Sequence, residues 1–221
     1  MLKLIVFSDP VCPWCYIGKG RLDRALAQRP GHPFEVEYHP FQLNPDFPPE
    51  GMARTAYLER LFGPGGEAKA DAQVGAEAEA TGLAFAPEKM NRMPNTLDAH
   101  RLMHWAALEG KQAEITSALF HANFAEGRDI SNHKVLADIA EANGMERDVV
   151  ARLLASDADR DDLIARDEDA RQKGVRAVPT YVIAGQHVVS GAQPTEMWLN
   201  VIDQVSEQLA AQPDSTPGET C

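Results

Sequence analysis

Cysteine is scarce in this chain. It occurs at positions 12, 15 and 221 in 221 residues. So small a set excludes a secreted disulfide scaffold, which needs more cysteines spread along the sequence. Positive charge is also short, with 21 lysines and arginines against 33 aspartates and glutamates and a formal charge of -12. A protein that grips a nucleic-acid backbone needs a positive footprint, so that class is set aside. No apolar run approaches a transmembrane length. The run Leu4-Ile5-Val6-Phe7 is too short for the core of a secretory signal, and Asp9-Pro10 ends it. The expectation is a cytoplasmic protein with neither a nucleic-acid nor a membrane partner. In that compartment a cysteine pair is more often catalytic or metal-binding than structural.

What is present has a clear order. Leu2 to Phe7 reads as a short buried strand. PWCYIGKGRLDRALAQRPG follows as a helix, with Pro13 at a first position that needs no amide donor. PFEVEYHPF alternates as a second strand, with Phe34, Val36 and Tyr38 on one side. After the Pro- and Asn-rich loop PFQLNPDFPPEG, nearly everything from Met52 to Lys173 has helical period. Gly63, Gly110 and Gly144 act as stops, and Asn95 or Thr96 as a cap. The period then returns to two in VPTYVIAG and QHVVSG, joined by a tight turn at Gly185-Gln186. PTEMWLNVIDQVSEQLAAQ closes as a helix, and residues 212–221 read as a flexible tail. The simplest assembly is one sheet made by the two chain ends, residues 1–50 plus 174–211. An all-helical block, residues 51–173, is inserted into it.

Cys12 and Cys15 admit three readings. A closed zinc site wants four ligands, and one C-x-x-C pair supplies two. His100 and His104 share a helix face but lack the acidic residue of the zinc-protease motif, and they read more simply as ordinary histidines. No metal is therefore expected. A structural staple is weak, because a loop this small constrains the unfolded chain little. A redox pair has mechanical support. Cys12 stands where strand gives way to helix, so helix-tip amides can stabilise its thiolate. Cys15, one turn on, shares that face and can resolve a mixed disulfide. Pro13 stiffens the loop, and Trp14 offers an exposed apolar plate for a substrate. Far downstream Val178-Pro179-Thr180 opens a strand. On its own that proline reads as an ordinary trans residue, since cis is rare.

Together these features resemble the thioredoxin superfamily. The inserted helical block is similar to the DsbA-like branch, and so the fold class is α/β, thioredoxin-like, with a large all-helical insertion. SDPVCPWCYIGKGRL, PFQLNP, NTLDAHRL and VPTYVIAG with VSGAQP resemble the FrnE-like DsbA oxidoreductases, a likeness that runs from the N-terminus to about Leu209. The resemblance implies that Cys12 attacks and Cys15 resolves. It implies a cis bond at Pro179, with Val178 facing the cysteines and Val178, Pro179 and Thr180 serving substrate binding. It places the insertion as a lid, with PFQLNP and NTLDAH near the groove. The Pro-Trp dipeptide, in place of Pro-His, implies a weaker oxidant than the periplasmic enzyme.

The function so expected is thiol–disulfide exchange on a disulfide- or thiol-bearing protein or small molecule. It needs no cofactor, and glutathione or another thiol resets the pair. The alternative is a glutathione-dependent isomerase or transferase for a small aromatic or polyketide-like molecule. That branch generally has serine where Cys12 stands. A third reading is a non-catalytic module that keeps the groove for a partner. The acidic insertion leaves room for a homodimer contact. Cys221, on a tail of about ten residues reaching roughly 18 Å, reads as a terminal cysteine without function.

Overall fold

A computed structural model describes residues 1–211. Its main sheet is built from the two chain ends. β1 (Leu2–Ser8) pairs in parallel with β2 (Phe34–Pro40), and α1 (Pro13–Ala27) is the crossover between them. On its other edge β1 pairs antiparallel with β5 (Thr180–Ile183), which pairs antiparallel with β6 (His187–Ser190). The strand order is β2-β1-β5-β6.

The register explains the core. Leu4 lies opposite Val36 and Ile183, and Val6 opposite Tyr38 and Tyr181. Side chains alternate along a strand, so these residues share one face. That face packs against Leu22 and Ala25 of α1 and against Trp198 and Ile202 of α9 (Thr195–Ala211). Trp198 is fully buried with its ring 4.6 Å from that of Tyr181. The β5–β6 turn falls one residue earlier than the sequence suggests. Ala184 and Gly185 carry the positive φ values, 50° and 70°. An alanine rarely adopts that conformation, and only the hairpin's twist demands it.

Between β2 and β5 the chain forms α2 (Arg54–Phe62), α3 (Gly66–Thr81), α4 (Leu97–Leu108), α5 (Gln112–Phe124), α6 (His133–Ala142), α7 (Arg147–Leu154) and α8 (Arg160–Gln172). The block is not purely helical. Two-residue strands β3 (Met52–Ala53) and β4 (Arg92–Met93) pair antiparallel, tying the start of α2 to the loop before α4. Strands this short carry no alternation to read. α4, α5 and α8 all pack against β2. Arg101 of α4 is buried and donates to the carbonyls of Leu153, Ser156 and Ala158 at 2.7–2.8 Å, tying α4 to the end of α7 and the turn after it.

Candidate active site

β1 ends in a turn that delivers Cys12 to the tip of α1. The Asp9 carbonyl accepts the Cys12 amide at 2.9 Å. Cys12 has extended backbone angles and caps the helix, while Pro13 takes its first position. The Cys12 sulfur accepts the Cys15 amide at 3.4 Å and lies 3.6 Å from the Val178 carbonyl, to which its thiol can donate. Val178-Pro179 is a cis peptide, and it brings the Val178 carbonyl to the sulfur.

Cys15 lies a turn deeper in the same apolar cluster, and Cys12, itself 4% exposed, is the one of the two that lines the groove. Cys15 is 2% exposed. Burial pushes its thiol well above the ordinary range. The neighbouring Cys12 sulfur adds to the rise, while the Ser8 side chain and the Asp9 amide oppose it. Behind the pair an aromatic stack excludes water. The Tyr16 ring is 5.1 Å from that of Phe124 and 5.6 Å from that of Phe120. Tyr16 and Phe124 thus bind α1 to α5. The Tyr16 hydroxyl donates to the Ala84 carbonyl at 3.1 Å.

In front of Cys12 opens a groove of about 680 Å³. Val11, Pro13, Trp14 and Val178 form one wall, and α2, α3 and the end of α5 the other. Trp14 is half-buried rather than an exposed plate, because α3 packs over it together with Phe85. Thr180 does not line the groove. Its hydroxyl donates to the Ala177 carbonyl at 2.7 Å, and the residue lines a separate cavity that also holds Ile5, Phe7 and Val182. Pro179 lies against α1 at Gly18. A methyl group there would come within 2.5 Å of the Tyr181 hydroxyl and 3.1 Å of Pro179.

Beneath the thiols lies a buried polar cluster that sequence reasoning missed. Asp9 is fully buried, and its carboxylate accepts the Leu43 amide at 2.7 Å and the Val11 amide at 3.4 Å. Burial raises its carboxyl to about 7 against these hydrogen bonds. His100, expected to be an ordinary histidine, is 2% exposed, with Nε2 3.8 Å from Asp9 and no hydrogen-bond partner among the described residues. Burial, with Arg166 adding repulsion, lowers its imidazole to about 3. Gln42 bonds Thr96 and Asp167, joining PFQLNP to α4 and α8. Asp9 is invisible in the sequence because its partners lie far along the chain. The one hint was its place between strand and cysteine.

No cluster of three or more metal-ligating side chains occurs among the described residues, and no helix there is long and apolar enough to cross a membrane. Cys221 lies outside the described residues. α9 begins beside Arg21 of α1 and reaches Arg29 with Asp203, so it runs away from the thiol end of the molecule.

A strand that feeds a helix-tip C-x-x-C, faced by a cis-proline loop, defines a thioredoxin-type site. Residues 3–203 match the DSBA-like thioredoxin domain family, and the chain belongs to that family. It is similar to a probable DsbA oxidoreductase, SCO1869, from Streptomyces coelicolor. The identity is 30% with a TM-score of 0.84, covering 100% of this chain and 94% of that one. It also resembles the uncharacterized protein YwbO of Bacillus subtilis, at 27% identity over 89% of this chain and 94% of that protein. The cytosolic disulfide reductase DsbM from Pseudomonas aeruginosa, solved with GSH, shares the fold at 22% identity and a TM-score of 0.68, over 95% of this chain and all of that one.

Proposed function

We propose that the protein is a cytoplasmic thiol–disulfide oxidoreductase in which Cys12 is the attacking sulfur and Cys15 the resolving one. The observation that carries this reading is the asymmetry of the pair. Cys12 accepts a helix-tip amide and borders the groove. Cys15 is sealed beneath it and held as a thiol by burial.

The chemistry follows from that division. The Cys12 thiolate attacks one sulfur of a substrate disulfide. The S–S bond breaks, the first substrate thiolate departs and takes up a proton, and a mixed disulfide remains. Cys15 then gives its proton to the second leaving sulfur and attacks Cys12. The substrate gains two electrons and two protons, and the pair closes as a disulfide. Two molecules of glutathione, or one of a dithiol, return it to the reduced state. The same steps in reverse oxidise a substrate dithiol. The backbone beside Pro179 supports an extended substrate strand through the Val178 carbonyl, and Pro13 and Trp14 shape the wall against which it lies.

The test is a comparison of two variants. Cys15→Ser should accumulate a mixed disulfide with substrate or glutathione, visible as an added mass that a reductant removes. Cys12→Ser should form none and lose disulfide reduction. A Cys12→Ser protein that reduces disulfides as fast as wild type ends the proposal. A Cys15→Ser protein that turns over a glutathione-dependent isomerisation without being trapped does so too.

A further inference from the structure

We propose that the groove beside Cys12 selects an anionic disulfide or thiol built on an apolar body, an inference that rests on the dithiol reading above. Its volume, about 680 Å³, is that of a small-ligand site. The floor is apolar, with Leu58, Val74, Met90, Met93 and Phe124 all buried along it. At the mouth Leu61 and Phe62 are 52% and 55% exposed, an unusual amount of apolar surface to leave in water.

The charge around that floor is the opposite of the chain's. The molecule carries -12 overall, yet among the described residues Asp71 is the one acid that lines the groove. Four cations line it: Arg54, Lys69, Arg92 and Arg176. Arg54 is nearly buried and is neutralised by Asp71 and by Glu67 at 2.7 Å. The other three are exposed, and none has an acidic partner among the described residues. Arg92 donates only to the Glu50 carbonyl. Even with Glu67 counted, four cations face two carboxylates. Above a low-dielectric floor such a rim concentrates anions. Screening within about 8 Å at physiological ionic strength keeps the preference moderate. An apolar body fills the floor, and its carboxylates meet Lys69, Arg92 and Arg176 while its sulfur reaches Cys12.

The experiment compares three disulfides of differing charge with the reduced protein. Dithiobis(nitrobenzoate) is aromatic and dianionic, dithiodipyridine is aromatic and neutral, and cystamine is dicationic. Each reaction consumes one disulfide, oxidises the 12–15 pair by two electrons and releases two thiols. Each rate is divided by that of free dithiothreitol under the same conditions to remove intrinsic reactivity. The normalised second-order rate constant for the dianion should exceed that for the neutral disulfide roughly tenfold, a few-fold for each exposed charge contact. Cystamine should be slowest, and the ratio should shrink as salt is added. The Lys69→Glu/Arg176→Glu double variant should lose the preference for the dianion.

A second arm needs no redox turnover. The Cys12→Ser/Cys15→Ser protein is titrated calorimetrically with the S-methyl ethers of nitrothiobenzoate and of thiopyridine, and the anion should bind tighter. Equal or tighter binding of the neutral ether, or a double variant with an unchanged ratio, overturns the inference and leaves the dithiol reading standing. Failure of the wild type to reduce any of the three disulfides sinks the dithiol reading instead, and the calorimetric arm still decides the charge selection.

Discussion

Asp9→Asn should unmask a pH dependence of stability that the native protein hides. Asp9 and His100 are both fully buried, 3.8 Å apart. The Asp9 carboxyl is raised from 3.8 to about 7, and the His100 imidazole is lowered from 6.5 to about 3. Between about pH 4 and about pH 6.5 the unfolded pair holds one proton, on the imidazole. The folded pair also holds one, on the carboxyl. The total is the same if the proton sits on His100 as an ion pair, because the titration belongs to the two groups together. The slope of stability with pH follows the difference in bound protons, so over this window the pair contributes none.

Asparagine at position 9 leaves the folded pair without a proton while the unfolded His100 keeps one. Relative to wild type, stability should then rise by about 1.4 kcal/mol per pH unit from about pH 4 to about pH 6.5. His100→Gln should do the reverse. The folded Asp9 retains its proton up to about pH 7 and the unfolded one loses it near 3.8, so stability falls at about the same rate as pH rises. Urea unfolding followed by tryptophan fluorescence, at half-unit pH steps, measures this as variant minus wild type. The subtraction cancels the other acidic residues. Hydrogen bonds lost from Leu43 or Val11 shift each curve by about 1–3 kcal/mol without tilting it. An Asp9→Asn curve parallel to wild type would refute the reasoning, because Asp9 would then be charged throughout.

Two further outcomes are expected. Gly18→Ala should destabilise the protein by about 1–3 kcal/mol, the usual cost of overpacking, because its methyl group meets the Tyr181 hydroxyl and Pro179. A shift of the urea midpoint measures it, and an unchanged midpoint shows that the loop yields freely. In the reduced protein iodoacetamide should modify Cys12 well before Cys15, which is buried with its thiol pushed up. Peptide mass mapping over time gives the order, and equal rates would remove the asymmetry.

Much of the fold was legible because its signals are local. Leu2–Ser8 and Phe34–Pro40 announce themselves by apolar content and alternation, and α1 by a proline placed at its first turn. The cysteine spacing on that helix was equally readable. What escaped was set by contacts between distant segments. Asp9 and His100 meet only when α4 packs under the β1–α1 turn. Trp14 looked exposed because α3, whose apolar face is weak, gives no sign of where it docks. The turn at Ala184 was misplaced by one residue because alanine hides its positive φ. β3 and β4 are too short to carry any period.

The buried acid also bears on Cys12, which caps α1 three residues further on. A negative group near Cys12 would oppose a thiolate there. Asp9, three residues away, is the nearest acid in sequence, and burial raises its carboxyl to about 7. Its two accepted amides hold it in place without a solvent-facing charge. On the open side, Lys69, Arg92 and Arg176 give the groove the opposite sign. Under the reaction proposed above, that sign favours the approach of an anionic substrate to Cys12.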